Sequence, residues 1–149
     1  MLTLRVAGHP VHPLLVHFPA ALWPASAVWD VLSYWHGGAL WSQMSFWCIA
    51  LGLAMALLAL MSGFMEYATL SDDHPAQKTA VAHMMVMFGA TSAYAASLLA
   101  RGAPNVSAIP SALAVGFSIT GLLLLVAGGW LGGTLVYRYH VGTSSGSDK

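Results

Sequence analysis

The sequence predicts an all-α protein, a transmembrane four-helix bundle with up-down-up-down topology. Only 7% of its 149 residues are charged, 58% are hydrophobic, and the mean hydropathy is +0.71. A soluble domain carries about 25% charged residues, so this chain is too apolar to have water as its main solvent. Its apolar residues also form four blocks, each long enough for a hydrocarbon core that needs about 20 helical residues. The expected surroundings are therefore a lipid bilayer.

The positions of charges and of helix-breaking residues delimit the four spans. We expect the first at residues 14–35 and the second at residues 44–67, with a pair of glycines between them. A polar turn containing two aspartates and a proline precedes the third span, at residues 80–99. A Gly-Ala-Pro-Asn sequence separates it from the fourth, at residues 112–137.

These spans make one four-helix transmembrane domain, residues 1–142. The remaining residues, 143–149, are small and polar, and we expect them to form a flexible tail.

Four spans place both termini and the second loop on one side of the bilayer, here called side A, and the other two loops on side B. Side A carries four basic residues and side B carries one, Arg101. Positive residues are enriched in cytoplasmic loops, so we expect both termini to be cytoplasmic.

Charge and motifs exclude several function classes. Five basic residues balance five acidic ones, so the chain lacks the basic surface that nucleic-acid binding requires. It has no nucleophile elbow, no phosphate-binding glycine loop and no acid–base carboxylate pair, so we expect neither a hydrolase nor a transferase and assign no catalytic residue. Oxidoreductase activity or a role as an electron-transfer subunit remains open.

The histidines are the most informative feature, because six of the seven are expected on side A. Two of them, His17 and His83, lie about four residues inside the first and third spans, and therefore at similar depth, about 5 Å below the helix starts. In an up-down-up-down bundle these two spans are diagonal and face each other across the interior. The pair is therefore the leading candidate site.

Two chemistries fit such a pair. In the first, His17 and His83 are the axial ligands of one b-type haem, and Arg138, Arg5 or Lys78 pairs with its propionates. Glycines of the fourth span make room for the macrocycle, and the protein transfers single electrons. In the second, His17, His83 and Glu66 bind one transition-metal ion such as Fe, Cu or Zn, with weaker contributions from His12 and His74. A third possibility is a non-catalytic membrane assembly subunit.

Partners are less constrained. Small residues on the second and fourth spans are compatible with a homodimer. An electron-transfer function would require a redox partner such as a cytochrome or a quinone.

Several motifs resemble a known family. They are the opening Gly-His-Pro-Val-His-Pro-Leu-Leu-Val-His-Phe-Pro (8–19), Ser-Gly-Phe-Met-Glu-Tyr (62–67), His83, and Gly-Trp-Leu-Gly-Gly-Thr-Leu-Val-Tyr-Arg-Tyr (129–139). Together they resemble the bacterial membrane family called domain of unknown function 2231. Glu66 departs from the pattern of that family, in which the carboxylate of the second helix is more often that of an aspartate. The resemblance covers nearly the whole chain and implies a four-helix protein of the bacterial inner membrane. The resemblance also implies an association with redox or cytochrome proteins, beside which some relatives look to occur, and this favours haem over a bare metal.

Overall fold

A computed structural model describes residues 5–6, 9–37, 39–102 and 109–142. Its helices are α1 (Val11–His36), α2 (Ala39–Tyr67), α3 (Gln77–Arg101) and α4 (Ala112–Tyr137). Two short strands, β1 (Arg5–Val6) and β2 (His9–Pro10), pair in antiparallel fashion ahead of α1. The predicted all-α four-helix fold is confirmed, and the predicted tail at residues 143–149 lies outside the described part of the chain.

The bundle consists of two helical hairpins. Helix α1 packs closely along α2, and α3 packs equally closely along α4, whereas the α2–α3 and α1–α4 interfaces are much looser. Within the described residues, three helices, α2, α3 and α4, are long and apolar enough to cross a membrane. The protein is therefore a multi-pass membrane protein.

Helix α1 is as long as the others, but polar residues and prolines interrupt its apolar sequence. Its polar residues Ser26, Asp30 and Ser33 are buried against the other helices, while apolar side chains such as Phe18 and Val31 are about half exposed. The polar residues that lower the hydropathy of α1 thus belong to the interior of the bundle.

The two hairpins repeat one set of contacts. Helices α1 and α3 run in the same direction and meet through Trp23, stacked on Tyr94 with ring centroids 4.3 Å apart, and through Asp30, paired with Arg101. Both pairs are separated by 71 residues in the chain.

Helices α2 and α4 each place a glycine against one of the stacked rings. Gly52 of α2 packs against the indole of Trp23, and Gly121 of α4 packs against the phenol of Tyr94. Each hairpin therefore contributes the same layers to the core.

Aromatic residues also mark the outside of the bundle. Large exposed rings lie near the helix ends: Trp35 and Trp47 towards side B, and Trp130 and Tyr137 towards side A. This is the distribution expected of a membrane-interface aromatic belt.

Candidate functional site

A histidine of the first hairpin is clamped between α1 and α2 near side A. The ring of His12, in the first turn of α1, places Nδ1 2.9 Å from the carbonyl oxygen of Ala59 and 3.2 Å from the hydroxyl of Ser62. Because a carbonyl only accepts, Nδ1 carries the proton and donates it. A Cβ at Gly63 would lie 2.9 Å from Cε1 of the same ring, so this glycine makes room for the imidazole.

The second hairpin holds a histidine in the same way. Nδ1 of His83 lies 2.9 Å from the carbonyl oxygen of Gly128, so it too donates to the neighbouring helix. A Cβ at Gly132 would come within 3.1 Å of its Cε1. In both hairpins the carbonyl and the glycine are four residues apart, one turn of α2 or of α4.

These two histidines occupy equivalent positions in the two hairpins, as the stacked rings and the ion pair do. His12 and His83 are separated by the same 71 residues that separate Asp30 from Arg101, and they are close enough to interact electrostatically. In each ring Nδ1 carries the proton that is donated to the carbonyl. Nε2 is therefore unprotonated, and its lone pair is available to a ligand. Metal-binding histidines commonly show this arrangement.

The structure places His17 differently from its predicted role. Its side chain is exposed, and its Nδ1 contacts the carbonyl oxygen of Pro13 in its own helix. Position 17 is five residues from His12, or about 140° around the helix, so the two rings point to different sides. The structure therefore brings His12, and not His17, into the bundle beside His83.

The proposed set of metal ligands is not gathered at one point. Among the described residues, no three histidine, cysteine, aspartate or glutamate side chains lie close enough to hold a metal ion together. Glu66 faces the segment after α4, with Oε2 3.8 Å from a Cβ at Gly142. His74 accepts a hydrogen bond from the backbone N–H of Ala76, just before α3 begins.

Arg138 and the α4 glycines also have local partners. The guanidinium carbon of Arg138, which immediately follows α4 on side A, lies 5.5 Å from the ring centroid of Tyr139, and the side chain is exposed. Gly121, Gly128 and Gly132 pack against side chains of α3. Of the α4 glycines expected to make room for a macrocycle, Gly128 and Gly132 face side chains of their own hairpin, whereas a Cβ at Gly129 would have nothing within 4 Å.

A second polar site lies towards side B. Arg101 donates two hydrogen bonds, of 2.7 and 2.6 Å, to the carboxylate of Asp30, and each side chain is only 5% exposed. The guanidinium also donates to the hydroxyls of Ser97 and Ser118. The pair is buried because Arg101 is still helical and its side chain extends back along α3.

The fold and the histidine pair define a multi-pass membrane protein with one polar centre near each end of the bundle. The model of the family described as predicted membrane protein (DUF2231) matches residues 8–145. The chain belongs to this family, as its motifs indicated. No curated protein and no solved structure matches it.

The sequence did contain a signal for the residues that our interpretation missed. His12, Trp23 and Asp30 are spaced by eleven and then seven residues, and His83, Tyr94 and Arg101 have the same spacing. Those steps are close to three and two full helical turns, so each trio lies on one face of its helix. Comparing the two halves of the chain would have selected His12 in place of His17.

Proposed function

We propose that this protein binds one b-type haem near side A, with His12 and His83 as axial ligands, and transfers single electrons. The observation that carries the proposal is the matched pair of imidazoles, one from each hairpin, both donating from Nδ1 to a neighbouring backbone carbonyl. This hydrogen bond orients each ring and increases its basicity as a ligand.

The donor set fits haem better than a bare metal ion. A zinc, copper or iron ion bound only by protein needs three or four side chains, and the described residues offer two here. Haem iron needs only two axial ligands from the protein, because the porphyrin supplies the other four nitrogens. The looser contact between the hairpins is where a flat macrocycle would enter. When bound, the haem would supply one-electron redox chemistry.

Residues at the same end of the bundle suit the haem propionates. Lys78 is exposed one turn and a half before His83, and Arg138 is exposed just beyond α4. Either cation would pair with a carboxylate at the membrane surface, and such charge-assisted hydrogen bonds are stronger than neutral ones.

The location and partners extend this proposal. Family membership supports a membrane protein, and the resemblance of its motifs to a bacterial family is the basis for proposing the bacterial inner membrane. The excess of basic residues on side A supports cytoplasmic termini. A haem close to side A would exchange electrons there with a cytochrome or with a quinone. Small residues give a homodimer little support, because the glycines that could form a helix–helix interface between two copies already pack against side chains inside the bundle. These are Gly52, Gly63, Gly121 and Gly132.

The test is a reduced-minus-oxidised absorption spectrum of the detergent-purified protein with its histidine variants. We expect a sharp α-band and a shifted Soret band that are lost in His12→Ala and in His83→Ala. The matched control is His17→Ala, an exposed histidine of the same helix, which should keep both bands. Loss of the bands in His17→Ala with retention in His12→Ala would refute the ligand assignment. A flat wild-type spectrum would refute haem binding.

A further inference from the structure

Several buried polar atoms, in the middle of the bundle and towards side B, lack the hydrogen bonds that burial in a membrane demands. Within the described residues, the indole N–H of Trp23, the hydroxyls of Ser42 and Ser45, and the phenol hydroxyl of Tyr94 are all buried without a hydrogen-bond partner. Trp23, Ser45 and Tyr94 are completely inaccessible. Polar groups left unpaired in an apolar interior are costly, and native proteins satisfy nearly all of them with protein or with ordered water.

These atoms surround one region of the bundle. Asp30 lies seven residues beyond Trp23 in α1, two turns towards side B. Ser45 lies seven residues before Gly52, the residue of α2 that contacts Trp23. Since α1 and α2 run in opposite directions, Ser45 and Asp30 are at the same depth. The unpaired serine hydroxyl therefore lies at the level of the buried ion pair.

The other two helices complete the region. Ser97 is one turn from Tyr94 on α3, and its hydroxyl lies 2.8 Å from that of Ser118 on α4. Both serines accept from Arg101, and Tyr94 is close enough to interact electrostatically with Arg101. All four helices thus contribute a hydroxyl or a charge to this half of the interior.

We propose that these residues enclose a water-binding chamber, formed by Trp23, Asp30, Ser45, Tyr94 and Arg101, that is in exchange with the aqueous phase on side B. Bound waters would accept hydrogen bonds from the indole and phenol groups at one level and would bond to the serine hydroxyl two turns further towards side B; a buried water typically makes two to four such bonds. The chamber brings exchangeable protons to Asp30 and Tyr94 in the membrane interior. Polar residues inside membrane proteins characteristically line such water-filled cavities. The chamber does not depend on haem.

The decisive experiment is NMR spectroscopy of the full-length protein in micelles with ¹⁵N-labelled tryptophan. The Trp23 indole signal is assigned by its disappearance in Trp23→Phe. We expect a cross-peak between the Trp23 indole proton and water, and replacement of that proton by deuterium within minutes of transfer to D₂O. Absence of the cross-peak, together with an indole proton that persists for a day, would overturn the proposal.

Two variants at one position test whether Ser45 lines the chamber. Ser45→Ala removes only the hydroxyl oxygen, so water and the cross-peak should remain. Ser45→Val fills the space with methyl groups and should slow exchange of the Trp23 indole proton several-fold. Far-UV circular dichroism verifies that both variants retain their helices. An exchange rate that is unchanged in Ser45→Val would remove Ser45 from the chamber.

Discussion

Breaking the buried ion pair between α1 and α3 should be among the most damaging single changes in the bundle. The side chains of Asp30 and Arg101 are each 5% exposed and share two short hydrogen bonds. In Arg101→Met the carboxylate remains in the interior without its countercharge. Removing one member of such a pair costs about 3–5 kcal/mol, because the remaining charge is desolvated and unpaired. We expect a loss of that size in the free energy of unfolding.

The double variant Asp30→Leu/Arg101→Met isolates the cause. Replacing both partners by apolar side chains leaves no buried charge, and such replacements are often neutral or stabilising. It should therefore recover most of the stability lost in the single variant. The assay is reversible unfolding by SDS in mixed micelles, followed by circular dichroism, with exposed Lys78→Met as the control. A cost below about 1 kcal/mol in Arg101→Met, typical of a surface pair, would refute the reasoning.

Two further predictions concern glycines. A Cβ at Gly52 would lie 2.6 Å from Cδ1 of Trp23, so Gly52→Ala should destabilise the protein by about 1–3 kcal/mol in the same SDS assay. Gly129→Ala, with nothing within 4 Å of the added Cβ, should instead stabilise it by up to about 1 kcal/mol through helix propensity; equal effects would contradict the packing argument. Gly132→Ala should displace the His83 ring and reduce haem content several-fold in the pyridine haemochrome assay, whereas Gly133→Ala should not; equal haem content in both would show that Gly132 does not position the ring.

The helix positions could be predicted because they depend on local properties of the chain. Hydrophobic length and the breaks at glycine, proline and charged residues predicted the fourth helix at residues 112–137, where α4 is found. The other helices extend a few residues beyond the predicted spans. The added residues at 11–13 and 77–79 include histidine, proline, glutamine and lysine, which a prediction based on hydropathy leaves out.

The histidine pair was harder to predict because depth alone does not determine direction. His17 and His83 matched in expected distance from the helix starts, but α1 begins at Val11, several residues before its apolar block. That earlier start makes His12 part of the helix and turns it towards α2, while His17 faces outward. The buried state of Asp30 and Arg101 likewise depends on which face of α1 meets α3, which neither composition nor span length reveals.

The matching contacts of the two hairpins bear on how such a chain could arise. In the predicted four-span topology each hairpin crosses the bilayer twice, so a second copy joined to its end enters the membrane with the same orientation as the first. A gene encoding one hairpin with a single inward histidine could therefore duplicate without reversing its topology. The fused copies would inherit a two-histidine centre that the single hairpin could have formed only as a dimer. The third layer, Asp30 in one hairpin and Arg101 in the other, makes the two halves complementary and distinct.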